Sequence, residues 1–494
     1  MTERLSNATL ARLPQSVRAP GYDRGAVRPG IVHLGAGAFH RAHQAVYVDE
    51  LLDADPNWGI AGASLKHPDT ANALNPQDGL YTLVSRGAGG TQMRVIGSLV
   101  EVLRAEAQRD RLMGLLTAED TRIVSLTITE KGYCHDPATG ELNLDHPDIV
   151  HDLAHPDRPG SAPGLIVAAL AARRALGLPA FTVLSCDNLP ANGIITRRVV
   201  VGLAHRLESV IGNWIKNETR FPSTMVDRMV PATTDVDRAE VAGALGLEDA
   251  WPVVAEPFSQ WVIEDDFTGA RPRFEDAGVQ MVEDVAPFEL MKLRMLNGSH
   301  STLAYLGCLC GIETIAEAVA DPDLGALVRR MMTGEVIPTL VEPGIDLRAY
   351  CDTLMIRFAN PALRHRTGQI AMDGSQKLPQ RLLGTIRDRI RSGGAYDRTA
   401  LGVAAFMRYV TGVDEKGKKI EVRDPLAARL AGIYSETGKR PAALAARYLG
   451  VAEIFGTDLA GDQAFVTCVG DHLKSLFQKG ARETVRRLLA KSAG

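Results

Sequence analysis

The sequence has too few cysteines for a disulfide framework or a metal knuckle. Six of them (Cys134, Cys186, Cys308, Cys310, Cys351 and Cys468) serve 494 residues, and none falls in a paired CxxC, so reduced thiols and no structural zinc knuckle are expected. Long apolar runs are missing too. Nothing approaches about 18 uninterrupted apolar residues, and the opening MTERLSNATLARLPQSVRAP carries charges throughout, with no apolar core of secretory length. The expectation is a cytoplasmic protein with no membrane partner. Charge of one sign is also absent: the formal net charge is −4, with 55 Lys+Arg and 59 Asp+Glu spread along the chain. No basic arm offers the phosphate-neutralising footprint that nucleic acid requires, so nucleic acid is not an expected partner.

What is present is the make-up of an ordinary globular protein, 45% hydrophobic and 23% charged. A single core stops growing near about 250–300 residues, which makes two domains the expectation. Short β-branched runs followed by helical stretches recur up to residue 285, as in GIVHLG, TRIVSLTIT, AFTVLSC and WPVVAEPF. That alternation predicts an α/β domain of the dinucleotide-binding (Rossmann) type over 1–285. From 286 to 494 long helical patterns replace it (ELMKLRMLNGSHSTLAYLG, LGALVRRMMTGEVIPTLV, LPQRLLGTIRDRIRSG, AALAARYLG), which predicts a mostly α-helical second domain. The stretch HDLAHPDRPGSAPG (151–164) reads as a Pro/Gly connection within the first domain.

The segment GIVHLGAGAFHRAHQ gives an apolar strand, a turn at Gly35 and Gly37, then a helix. In a dinucleotide-binding unit the first glycine makes the turn and the second lets the backbone approach a pyrophosphate, which rests on the helix N-terminus. His40 stands where a third glycine belongs, so the fingerprint is shortened. A glycine turn that merely packs strand on helix is the competing reading. A second run, WGIAGASL, ends near Lys66, His67 and Asp69. Asp69 accepting from a ribose hydroxyl favours NAD, whereas Lys66 and His67 would suit the 2′-phosphate of NADP. Asp69 also fits a helix N-cap.

The stretch ELMKLRMLNGSHSTLAYLG sets Glu289, Lys292, Asn297 and His300 into an apolar helical pattern. On an α-helix at about 100° per residue, Glu289 falls about 60° from Lys292, His300 about 80° and Asn297 about 140°, so the four share a face. A lysine whose pKa is lowered by burial can take a hydroxyl proton while hydride leaves carbon. Side-chain amides can then hold the alkoxide without a metal. Lys292 is the candidate base, Asn297 the candidate amide, His300 a hydroxyl contact and Glu289 a proton relay; a solvent-facing polar stripe is the plain alternative. AFTVLSCDNLPANG reads as a strand ending at Asp187 and Asn188, the second candidate amide or a turn asparagine before Pro190. None of the ten tyrosines precedes a lysine at Tyr-x-x-x-Lys spacing, and His33, His40 and His43 do not make a compact zinc set, so no metal is expected.

Together GAGAFHRAHQ, IVSLTITEKGYC, FTVLSCDNLPANG, MVDRMVP, EPFSQWVIED and MKLRMLNGSH resemble the polyol-specific long-chain dehydrogenase (mannitol dehydrogenase) family over nearly the whole chain. The resemblance implies a zinc-independent NAD oxidoreductase and a monomer. It makes Lys292 the base, Asn188 and Asn297 the oxyanion hole, His300 and Asp227 substrate contacts and Glu289 a gate on a proton path. At the cofactor it places Gly35, Gly37, Ala38, Phe39, His40, Arg41 and Asp69.

Within the family the sequence resembles the sugar-acid (fructuronate reductase) branch, with the mannitol 2-dehydrogenase branch as sibling. Arg294 and the stretch LRHRTGQIAMDGSQKLPQR, with Arg364, His365, Arg366, Lys377 and Arg381, supply cations that could meet a substrate carboxylate. Gln369 stands where the mannitol enzymes carry an arginine. The expected reaction is D-mannonate/D-fructuronate interconversion, with D-mannitol/D-fructose as the alternative and a non-catalytic nucleotide-binding protein as the remote one.

Overall fold

The computed structural model describes residues 3–341 and 344–491. The chain forms two compact units, one up to Ala286 and one from Pro287 onward. In the first, five parallel strands make the central sheet: β1 (Pro29–Leu34), β2 (Gly59–Ser64), β3 (Leu99–Arg104), β4 (Ile123–Leu126) and β5 (Thr182–Ser185), in the order 3-2-1-4-5. Helices cover such a sheet on both faces, so its strands can be apolar throughout rather than alternating. In β1 the run Ile31–Leu34 is wholly buried, including His33, whose ring is held by the hydroxyls of Ser125 (2.8 Å) and Thr127 (2.8 Å). The strand order reverses between β1 and β4, and the crevice beyond the carboxyl ends at such a reversal is where these sheets bind ligands.

Two smaller sheets complete this unit. One orders Val17–Arg18, Gly90–Ile96, Tyr81–Gly87 and Val253–Ala255; the other joins Gln280–Val282, Gln260–Glu264 and Thr224–Asp227. WPVVAEPF is thus a strand, but outside the central sheet. α1 (Ala38–Ala42) follows β1, and α2 (Asp69–Leu74) follows β2. The expected connection at 151–164 is shorter than read: a helix continues to Ala154 and another begins at Ala162. From the last turn of the first helix, buried Asp152 accepts from the Gly160 and Ser161 amides and the Ser161 hydroxyl, which rigidifies the bend.

The second unit is helical around a core of its own. The elements used below are α3 (Ala286–Met291), α4 (Gly298–Cys310), α5 (Leu347–Phe358), α6 (Asp397–Tyr409) and α7 (Gln463–Lys479). Between α3 and α4 the chain does not stay α-helical. Residues Lys292–Asn297 form a π turn, closed by the Gly298 N–H to the Leu293 carbonyl. Further π turns occupy Met332–Val336 and Pro379–Leu383, and the last packs against Lys292–Asn297. The approach there is close: a Cβ on Gly298 would lie 2.7 Å from the Arg381 carbonyl oxygen, so only glycine fits at that crossing.

No described helix is long and apolar enough to cross a membrane.

Candidate active site

The turn after β1 is built by its glycines. Gly35 adopts φ +98°, where a side chain is strained, and a Cβ there would lie 2.1 Å from the Thr127 carbonyl oxygen. The loops leaving β1 and β4 therefore touch, tied also by the Thr127 hydroxyl donating to the Gly35 carbonyl at 2.7 Å. Gly37 and Ala38 are exposed, and a Cβ on Gly37 would meet only the Gly35 carbonyl, at 3.7 Å. A bare main chain facing outward at the start of a helix is the cradle a pyrophosphate needs.

Beyond Phe39 the motif turns inward. The His40 ring is fully buried and stacks on His33 at 3.5 Å, and its nitrogens have no hydrogen-bond partner among the described residues. Burial, then the neighbouring His33, Arg41 and His43, hold it neutral. Arg41 is buried as well: it donates to the Trp251 carbonyl at 2.5 Å and lies over the Tyr81 ring. Both side chains are thus engaged within the first unit, which leaves their main chain as the part that faces the expected cofactor turn. His40 occupies the packing position between strand and helix, and Arg41 pins α1 to the rest of its unit.

Lys66, His67 and Asp69 are exposed past the end of β2. Asp69 is the first residue of α2, whose N-cap is Pro68, so it makes no capping bond. The N-cap reading is thus wrong, and the carboxylate stays at the surface. Asn188 is exposed three residues beyond β5, and Asp227 is buried at the last position of Thr224–Asp227. Next to Asn188, Asp187 accepts from the Ile128 and Thr129 amides (2.8 and 3.2 Å) and from the Tyr133 hydroxyl (2.8 Å). Those bonds tie the end of β5 to the loop after β4.

In the second unit Lys292 is buried, at 8% exposure, while Glu289 and Asn297 are partly buried. The π turn changes the predicted wheel. In a π helix, with its i→i+5 hydrogen bonds, five residues come round to within about 50° of the start, so Asn297 lies closer to the side of Lys292 than the α-helical wheel places it. His300, in the first turn of α4, is buried, with its ring against Phe358 (4.6 Å) and edge-on to His365 (5.8 Å). Burial, then His365, Arg381 and Arg357, keep it neutral well below the usual histidine range.

Two of the expected carboxylate contacts have acidic partners within the protein. Arg294 is buried and donates to Asp388 (2.6 Å) and the Thr339 hydroxyl (2.7 Å), so its charge is already answered by the protein. Arg364 is solvent-facing, in a left-handed conformation at φ +42°, and shares Glu313 with Arg366 at 3.8 and 3.6 Å. Both fit intramolecular and surface roles. Lys377 is partly buried and donates to the Met372 carbonyl at 2.5 Å; burial, then Arg381, pull its pKa down.

Arg381 donates to the Ser301 hydroxyl at 3.1 Å, beside His300, and no carboxylate pairs with it among the described residues.

Family models match along most of the chain: the mannitol dehydrogenase Rossmann domain over residues 29–276 and the mannitol dehydrogenase C-terminal domain over 284–477. The chain belongs to the mannitol dehydrogenase family. D-mannonate oxidoreductase of Escherichia coli is 48% identical over 96% of this chain and 98% of its own. Mannitol 2-dehydrogenase of Phaeosphaeria nodorum is 42% identical over 98% of this chain and 85% of its own. Among solved structures, Pseudomonas fluorescens mannitol 2-dehydrogenase with NAD and D-mannitol superposes with TM-score 0.87 at 42% identity, covering 99% of this chain and all of that one. Substrate-free D-sorbitol dehydrogenase gives TM-score 0.91 at 35% identity. The family is thus an oxidoreductase family, and its relatives act on both sugar acids and polyols.

Arg357 was missed in the sequence. It sits in the last turn of α5, buried, and its charge reaches both His300 and His365. The available signal was an arginine inside the apolar run LMIRF, where a solvated residue is out of place.

Proposed function

We propose that this mannitol dehydrogenase family member is an NAD-dependent sugar-acid dehydrogenase that interconverts D-mannonate and D-fructuronate, with Lys292 as the proton-transfer group. The observation that carries the reading is the second unit's polar set: a buried Lys292, Asn297 at the end of the same π turn, and a neutral His300 whose ring feels the charges of Arg381 and Arg357.

The Gly35–Phe39 turn, exposed at Gly37 and Ala38, fits a dinucleotide pyrophosphate, and Asp69 fits the ribose hydroxyls of NAD. The nicotinamide supplies or accepts the hydride. In the oxidation direction Lys292 takes the hydroxyl proton, and Asn297 donates to the oxygen as charge builds on it. In reduction the same ammonium returns the proton. Neutral His300 can hydrogen-bond a neighbouring hydroxyl, and Glu289, less buried than Lys292, passes the proton onward. In this reading Asn188 and Asp227 keep the roles of second amide and substrate contact that the family resemblance implies, and His365, edge-on to His300, and Lys377 those of substrate contacts.

A sugar acid is favoured over a neutral polyol because Arg381 carries a guanidinium with no carboxylate partner among the described residues. Holding such a charge is costly until an anion answers it. The deciding experiment is comparative kinetics with NADH on D-fructuronate and D-fructose. A kcat/KM for fructose well above that for fructuronate would overturn the sugar-acid reading and leave the polyol one. No turnover with any hexuronate or ketose would leave only nucleotide binding.

A further inference from the structure

We propose that Asp397, Cys468 and His472 form a zinc site apart from the substrate and cofactor residues, clamping α6 to α7. Cys468 and His472 are four residues apart on α7, so their side chains rise from one face of the helix. Asp397 opens α6, which packs along α7. One ligand atom from each of the three lies within 4.8 Å of the other two. Cys468 Sγ and Asp397 Oδ1 are 3.8 Å apart, close to the edge of about 3.5 Å that zinc bonds of 2.0–2.3 Å impose on a tetrahedron.

Without a metal, a thiol hydrogen bond to Asp397 and an acid at a helix N-terminus would account for two of the three groups. They leave the third half used: the Asp397 backbone hydrogen-bonds the His472 ring, while His472 Nε2 is buried and has no hydrogen-bond partner among the described residues. Glu335, whose charge also reaches Cys468, does not compete, because it accepts from the Arg398 and Thr399 amides and the Thr399 hydroxyl. Asp397 is exposed, so solvent can supply a fourth ligand.

Burial and then Asp397 push the Cys468 thiol up to about 12. Metal uptake therefore expels one thiol proton and strengthens with rising pH. A sulfur, a nitrogen and an oxygen donor together suit zinc better than magnesium or calcium. A second cluster, Cys134, His146 and Asp148, has donors at similar spacing. There His146 Nδ1 is already spent accepting the Asp148 amide at 3.2 Å.

The test is a Co(II) titration of the chelator-treated full chain, followed by displacement with Zn(II). The expected result is a sulfur-to-cobalt charge-transfer band that saturates at one equivalent and is bleached by zinc. Cys468→Ser should abolish the band and Cys134→Ser should leave it. His472→Gln and Asp397→Asn should weaken binding at least about tenfold, the scale at which even outer-shell losses register. Stripping the metal should lower the melting temperature and spare turnover. No saturable band, a band removed by Cys134→Ser instead, or turnover lost with the metal would each overturn the proposal. The optical readout does not depend on the substrate, so it stands or falls separately from the proposed reaction.

Discussion

Asn297 comes round toward the side of Lys292 because the chain from one to the other is a π turn and not a continuous α-helix. An amine and an amide carried on one such turn can act on one oxygen: the first moves its proton and the second holds its charge. The neighbouring Gly298, pressed to 2.7 Å of the Arg381 carbonyl in Cβ terms, shows how tightly the turn is seated.

Removing the amine should stop the chemistry and spare the nucleotide site. Lys292→Ala is expected to lower kcat by at least about 10²–10⁴, the contribution of a positioned proton-transfer group. NADH binding, followed by fluorescence, should stay within a few-fold of the parent. Equal loss of both would remove Lys292 from the chemistry.

Asn297→Ala should cost about 10²–10³ in kcat with little change in KM, as for loss of one oxyanion donor. A pure KM effect would instead mark Asn297 as a ground-state contact.

Arg294 and Arg381 should separate cleanly. Arg294→Met removes charged hydrogen bonds to Asp388 and Thr339, worth about 1.5–3 kcal/mol of stability, and should leave the preference between fructuronate and fructose unchanged. Arg381→Gln should cost at least about tenfold in kcat/KM for the acid and far less for the neutral ketose. The reverse pattern would restore Arg294 as the carboxylate contact.

Acid should unfold the first unit partly through His33. Burial lowers its pKa from 6.5 to about 3, so the unfolded chain takes up a proton below pH 6.5 that the native ring refuses. Stability from this group is therefore full above pH 6.5 and is lost as pH falls toward 3. Denaturant melts across that window should be shallower in pH dependence for His33→Gln, which has nothing to protonate. An unchanged slope would assign the acid sensitivity to other groups.

Asp69→Ala should raise the KM for NAD severalfold and narrow the gap to NADP, since the exposed Lys66 and His67 would then face the ribose without a competing carboxylate. A parent enzyme that already prefers NADP would refute the role given to Asp69.

Local pattern was enough to read the parallel sheet, the glycine turn and the helical second half. β-branched runs between turn residues mean a buried strand wherever they lie, and a glycine pair after such a run means a tight turn. It also marks Lys292, Asn297 and His300 as candidates, because charged and amide groups inside an apolar helix are conspicuous. Packing decided the rest. His40 and Arg41 look like cofactor contacts in one dimension, but the rest of the first unit closes over them. Arg294 looks free for a substrate until Asp388, ninety-four residues later, is folded against it. The π turn, the guanidinium of Arg357 beside His300, and the meeting of Asp397 with Cys468 and His472 depend on contacts between segments distant in sequence. Pattern reports which face a residue prefers; only the folded chain determines what that face touches.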